Sequence, residues 1–247
     1  MHRQLTWFSR AERAATMIFA ALALSSLATD TSAARTDPTI GGVVIPQTPL
    51  ALKAAQFAKL HSPEFLFNHS MRTYIYGALG MKAHNVPFDA ETAFVAAALH
   101  DLGLMPGSAS AQGSFEVDGA NLAEKFVKDN GGSEQQARTV WNAIAMHDVG
   151  RAFQSHQSGN ALLVGYGAGT DVDGPDPKVV TPEIVAQTLR AFPRAGFKTG
   201  FTALAVDHCK RKPTSQFGWL DGLCREVAPN VDRGSVRDEI QSAPYAD

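Results

Sequence analysis

The chain has no basic block. Its 22 Lys and Arg are scattered among 24 Asp and Glu, for a formal net charge of −2 and a pI near 6.4, so nucleic acid is not an expected partner. It has no strand-length run in which apolar and polar residues alternate, and no internal repeat, which argues against sheet and repeat architectures. Cysteine is nearly absent: Cys209 and Cys224 are the only two, enough for one disulfide or for two reduced residues acting as small core hydrophobes. Past the N-terminus no apolar run is long enough to span a bilayer. The remainder, 45% hydrophobic and 19% charged, is an ordinary globular composition, sufficient for one large domain with a core.

The N-terminus reads as a separate segment. Arg3, Arg10 and Arg13 precede an apolar run over Ala14–Ala28, and small residues follow over Thr31–Ala34. That is the layout of a secretory signal peptide cleaved near Ala33 or Ala34; an uncleaved anchor is the other reading, and the apolar run is short for it. The expectation is a signal peptide over 1–34, export to the periplasm or medium, and no membrane attachment after cleavage. One domain then fills 35–247, with its core over about 48–228. Export favours a Cys209–Cys224 disulfide. No feature of the sequence speaks to oligomeric state.

Along the mature chain, residues 35–47 read as an extended lead-in broken by Pro and Gly-Gly. Thr48-Pro49 opens a helix, and Ser62-Pro63-Glu64 opens a second that carries His69, Arg72, Thr73 and Tyr76. A third, Glu91–Leu104, is almost wholly apolar, holds His100-Asp101 and is closed by Gly103. Phe115–Asn130 is a fourth. Ser133 with Gln136 makes a capping-box pattern for a fifth that ends at His147-Asp148. The glycines of Ser158–Val172 argue against a helix, while its leucines, valine and tyrosine suit one packed at the centre of a domain. Further helices follow Thr181-Pro182 and span Phe197–Lys210 and Phe217–Val227. The fold class is all-α, with eight or so helices.

A helix apolar on every side is buried. Placing His100 and Asp101 there is costly unless something pairs with them, and a divalent metal accepts both imidazole nitrogen and carboxylate oxygen. Taken singly, His69, Glu116, His147 and Asp171 all have bland readings: a satisfied histidine, a first-turn dipole partner, a helix-end histidine, a turn residue. Taken in order with His100-Asp101, they form the series H…HD…D.

That series resembles the HD-domain superfamily of metal-dependent hydrolases, from about Pro63 to Pro213. The resemblance implies a helical bundle in which His69, His100, Asp101 and Asp171 hold one or two divalent metals; Asp173, two residues on, offers the same chemistry as Asp171. The stretches NHSMRTYIYG (Asn68–Gly77), ALHDLG, SFEVDGA (Ser114–Ala120) and WNAIAMHD (Trp141–Asp148) are similar to the cyanamide hydratase-like branch. Its members add water to the nitrile carbon of cyanamide and give urea, using zinc. The exported layout departs from the intracellular members of that branch.

The implied function is a metal-dependent hydrolase or hydro-lyase acting on a small molecule. Its metal would be Zn2+, with Fe2+ or Mn2+ as alternatives, and would lower the pKa of bound water. Arg72 would orient a carboxylate or bind an anionic substrate. His147 would ligate the metal, bind substrate or, as the favoured role, supply the proton that a substrate nitrogen needs. Glu116 would anchor a ligand or accept a proton. The alternatives are an HD phosphohydrolase of nucleotides or phosphate esters, for which Arg72 and Arg151 are the only basic candidates, and a non-catalytic metal-binding helical module.

Overall fold

Most of the helices start on a capping side chain that the sequence supplies. In the computed structural model, which describes residues 37–108, 110, 113–149, 155 and 158–244, Thr48 accepts from the Ala51 N–H and starts α1 (Pro49–His61), with Pro49 in its first turn. Helix α2 (Glu64–Ala83) follows Pro63, and Asp89 caps α3 (Ala90–Leu99). Ser114 caps α4 (Phe115–Asp129). The capping box of Ser133 and Gln136 is present and starts α5 (Glu134–Ala145), satisfying two N–H groups that the helix cannot. Helix α6 spans Gly159–Asp173, and Thr181 caps α7 (Pro182–Ala191). Then come α8 (Phe197–Arg211), α9 (Gly218–Val227) and a short α10 (Val236–Gln241), capped by Ser235. The all-α fold is therefore observed, with ten α-helices among the described residues. The expected signal segment and Arg151 lie outside those residues. Among the described residues no helix is long and apolar enough to cross a membrane.

Two local expectations change. The lead-in is not merely extended: β1 (Thr39–Ile40) and β2 (Val43–Val44) form an antiparallel hairpin with Thr39 opposite Val44. Gly41 and Gly42 both take positive φ, 59° and 81°, the conformation a tight hairpin turn demands. Strands two residues long are too short for alternation to show.

The glycine-rich stretch left open between helix and loop is α6, and packing explains the glycines. A Cβ on Gly167 would lie 1.9 Å from the Thr73 carbonyl oxygen of α2, and one on Gly77 of α2 would lie 2.3 Å from that of Leu163. Each glycine gives up helix propensity so that the two backbones can approach.

Helix α3 is the centre of the core. Residues 92–99 are all buried, against α1, α2, α5 and α6. It ends one residue before His100, earlier than the apolar run suggested: His100 is its C-cap, and a 3₁₀ turn over Leu102–Leu104 follows. Gly103 permits that turn to sit on α4, since a Cβ there would be 1.9 Å from the Phe115 carbonyl oxygen. A second apolar cluster holds Leu104, Phe115, Ala205 and Leu220. Within it Cys209 of α8 and Cys224 of α9 form a disulfide.

Candidate metal centre

Four helices deliver the polar residues singled out by the sequence to one buried place. His69 comes from the second turn of α2, His100 and Asp101 from the end of α3, His147 from just past α5, and Asp171 from the last turn of α6. All five are at most 8% exposed.

The histidine tautomers follow from geometry. His100 Nδ1 lies 2.8 Å from the Ala97 carbonyl oxygen, and His147 Nδ1 lies 2.6 Å from that of Ile144. Both carbonyls belong to last turns, where the helical i+4 N–H is missing; that of Ile144 also accepts from the His147 backbone N–H at 3.3 Å. A carbonyl oxygen only accepts, so each Nδ1 carries the hydrogen and each Nε2 is left with a lone pair. Burial, then the neighbouring His69, pushes His100 down to about 3. Burial, then the neighbouring His100, pushes His147 down to about 4. Both rings are neutral at pH 7.

Three donor atoms converge. His69 Nε2 and His100 Nε2 lie 3.4 and 3.3 Å from Asp101 Oδ2, and the three residues can each place a ligand atom within 4.8 Å of the others. Donors about 2.0–2.1 Å from a tetrahedral ion are separated by about 3.4 Å, so these two separations suit a small divalent cation. His100 Nε2 and Asp101 Oδ2 are buried with no hydrogen-bond partner among the described residues. Two acceptors facing each other in the core are unfavourable until something positive lies between them. A proton on Asp101, whose carboxyl burial pushes up against the pull of His69 and His147, would bridge one contact. A divalent cation would satisfy all three donors. Three protein donors is also the number of a catalytic rather than a structural zinc site.

Asp171 stands one step behind this cluster, not within it. Its Oδ2 accepts from His69 Nδ1 and Arg72 Nη2, each at 2.7 Å. Its Oδ1 accepts from Arg72 Nε at 2.8 Å and Arg194 Nη1 at 2.9 Å. With four donors already on its oxygens, it holds the His69 ring with Nε2 turned to the cluster, the arrangement that orients a metal-ligating histidine. Burial raises its pKa, but the bonds from His69 and Arg72 outweigh that and keep the carboxyl well below the usual range. Asp173 is exposed at the cavity mouth and does not replace it.

Arg72 takes the first of its two expected roles. It is fully buried, forked onto Asp171, and its Nη1 donates to the Phe192 and Pro193 carbonyls at 3.1 and 3.0 Å. It does not line the cavity, so it offers nothing to an anionic substrate. Glu116 also lies behind the cavity wall. The carbonyls of Ala97 and Ile144 already hold His100 and His147, and Asp171 holds His69, so Glu116 anchors none of them. Its oxygens make no hydrogen bond of good geometry among the described residues, but Ser114 and the Asp148 carboxyl lie against them. Burial pushes its pKa up; the contact with Ser114 pulls the other way, and the neighbouring Asp148 adds to the rise. Burial pushes Asp148 up as well.

Two contributors were not foreseen. Arg194, in the loop before α8, donates to both the carbonyl and the carboxylate of Asp171 and stacks 4.4 Å from the Phe197 ring centroid; no motif marks it. Asp148 lines the cavity, and its signal was the second His-Asp doublet, read from the sequence only as a helix end.

His69, His100, Asp101 and His147 face a cavity of about 270 Å³. Its other walls are largely apolar, with Leu104, Phe115, Phe201 and Trp219 among them. Among the described residues no Lys or Arg lines it. His147 Nε2 points its lone pair there, 3.7 Å from Asp101 Oδ1. A neutral ring so placed accepts a proton before it can give one, which amends the donor role expected for it.

Among curated proteins none matches the chain. Residues 66–147 match the family model of the HD domain, and that span, which runs from the first turn of α2 to His147, contains all three residues of the His69–His100–Asp101 cluster; together the match and the cluster support the HD superfamily.

Proposed function

We propose that the chain is a metal-dependent hydro-lyase or hydrolase that adds water to an electrophilic, nitrile-type carbon, as in the cyanamide hydratase-like branch. His69, His100 and Asp101 would hold the ion, Zn2+ or else Fe2+ or Mn2+. The observation that carries the reading is the facing pair of unpartnered acceptors, His100 Nε2 and Asp101 Oδ2, 3.3 Å apart in the core. A divalent cation there supplies Lewis acidity toward water near neutral pH.

The chain's own residues do the rest. Asp171, clamped by Arg72 and Arg194, keeps His69 in its working tautomer. His147 Nε2 takes a proton from water as the oxygen bonds to the substrate carbon and one π bond of C≡N opens, and it returns that proton to the nitrogen. The apolar walls limit competing water. A phosphate substrate is less well served, because no cation lines the described cavity and Arg72 is bound to Asp171. The sequence feature that supports an exported location is the N-terminal signal layout.

Metal analysis of the purified mature protein, with assays of cyanamide, small nitriles and phosphate esters on the same sample, tests the reading. Stoichiometric metal with amide or urea formation is expected. Phosphate release with nitriles untouched would overturn the hydratase assignment, and metal-free protein that takes up no divalent ion would overturn the centre itself.

A further inference from the structure

The cavity is larger than the reaction centre requires. At about 30 Å³ for the share of one water in the liquid, its roughly 270 Å³ holds about nine water-sized groups. Cyanamide, N≡C–NH2, would occupy a small part of that. The space beyond is walled by Leu104, Phe115, Val172, Phe201 and Trp219, surfaces that favour an apolar occupant over water.

Gly169 indicates what the space is for. Gly159 and Gly167, also in α6, have no room for a side chain: a Cβ would lie 1.9 Å from the Pro87 and Thr73 carbonyl oxygens respectively. Gly169 is different. It lies inside the helix, where glycine is the poorest ordinary former, and among the described residues a Cβ would meet nothing within 4 Å. Neither backbone conformation nor packing against any described residue calls for glycine there. Gly169 does line the cavity, so any larger residue would extend into the space. At the opposite pole of chemistry, the buried and unpartnered His100 Nε2 faces the same cavity, which assigns the polar end of a ligand. Asp148 and Asp173 line it too, with no described cation to offset them, which disfavours an anionic body.

We infer that the substrate carries an uncharged, apolar body of about the size of a phenyl ring behind its reacting group, and that Gly169 keeps the space this body fills. The inference rests on the proposed water addition only for which end of the molecule meets the histidines; the seat for the apolar body does not depend on a metal.

Toluene, which has no group for a metal, and phenylacetonitrile, which carries a nitrile, serve as probes. Their binding is followed by Trp219 fluorescence and by calorimetry on chelator-treated and metal-loaded protein. Saturable toluene binding is expected in both forms. Gly169→Leu should weaken both probes at least tenfold and Gly169→Ala by less, without lowering the melting temperature, since both replacements favour helix. Equal affinity in wild type and Gly169→Leu, or no toluene binding to folded wild type, would overturn the inference. Toluene binding that depends on residue 169, without nitrile hydration by metal-loaded protein, would uphold the seat and sink the reaction. Cyanamide hydration without binding of either aromatic probe would do the reverse.

Discussion

Replacing Asp171 with Asn tests the link between the charged clamp and the metal-facing histidine. The Asp171 carboxylate receives four hydrogen bonds, two of them the fork from Arg72, and the Arg72 side chain is wholly buried. Asparagine keeps the shape but presents an NH2 where a donor already points, and it leaves the guanidinium without a counter-charge. Breaking a buried ion pair from one side costs about 3–5 kcal/mol. The remaining amide oxygen and the Phe192 and Pro193 carbonyls place this case near about 3 kcal/mol. For a domain of this size the melting temperature should fall by about 6–12 °C. Urea unfolding of metal-free protein at pH 7 isolates the clamp. Because the Asp171 pKa is depressed in the fold, its contribution is complete above the unfolded value of about 3.9 and fades as pH falls below that. The gap between wild type and variant should therefore narrow from pH 7 toward pH 3. Loss of the anchor for His69 should also weaken metal affinity by about 10–100-fold. A loss under about 1 kcal/mol at pH 7 with unchanged metal affinity would refute both parts of the reasoning.

Other outcomes follow from the same geometry. His147→Ala should retain metal and lose about 10²–10⁴ in turnover; metal loss instead would make His147 a ligand. Since burial lowers the His147 pKa to about 4, the acid limb of the rate should lie well below pH 6, and a limb near the ordinary histidine value would contradict the assignment. Glu116 is kept neutral in the fold while the unfolded chain ionises, so wild type should lose stability as pH rises above the ordinary value of 4.5. Glu116→Gln should match wild type at pH 4 and gain on it toward pH 8 in denaturant titrations, and a gap independent of pH would count against a neutral Glu116. Reducing the Cys209–Cys224 bridge, which spans 15 residues, should cost about 3 kcal/mol in the chain-entropy model. Thiol titration of unfolded, unreduced protein should find none, and two free thiols would rule the bridge out.

The helices that the sequence shows most plainly are those with side-chain caps. Thr48, Ser133 and Thr181 each declare a start, and the structure places helices there. The ends were harder. The apolar run through Leu104 hid the stop at Leu99, because periodicity carries no information about where a carbonyl turns from the chain to a side chain. Helix α6 was ambiguous for a different reason. Its glycines oppose helix locally, and the compensation comes from α2, a partner some 90 residues away in the chain, as in the Gly167–Thr73 approach. At the site, the order of the histidines and carboxylates was legible. What each one touches was not: both carboxylates lie beside His69, and Asp171 is set apart by Arg72 and Arg194 on its oxygens, of which Arg194 comes from a loop with no pattern to announce it.

The three histidine tethers differ in how a substitution can reach them. His69 is held by the Asp171 carboxylate, and His100 and His147 by the main-chain carbonyls of Ala97 and Ile144. A main-chain carbonyl survives any replacement of its own side chain, so two of the three rings are held by groups that single substitutions leave in place. Asp171 is the one tether that a single replacement removes, and with Arg72 and Arg194 already bound to it, the guanidinium pair and the His69 ring stand or fall together.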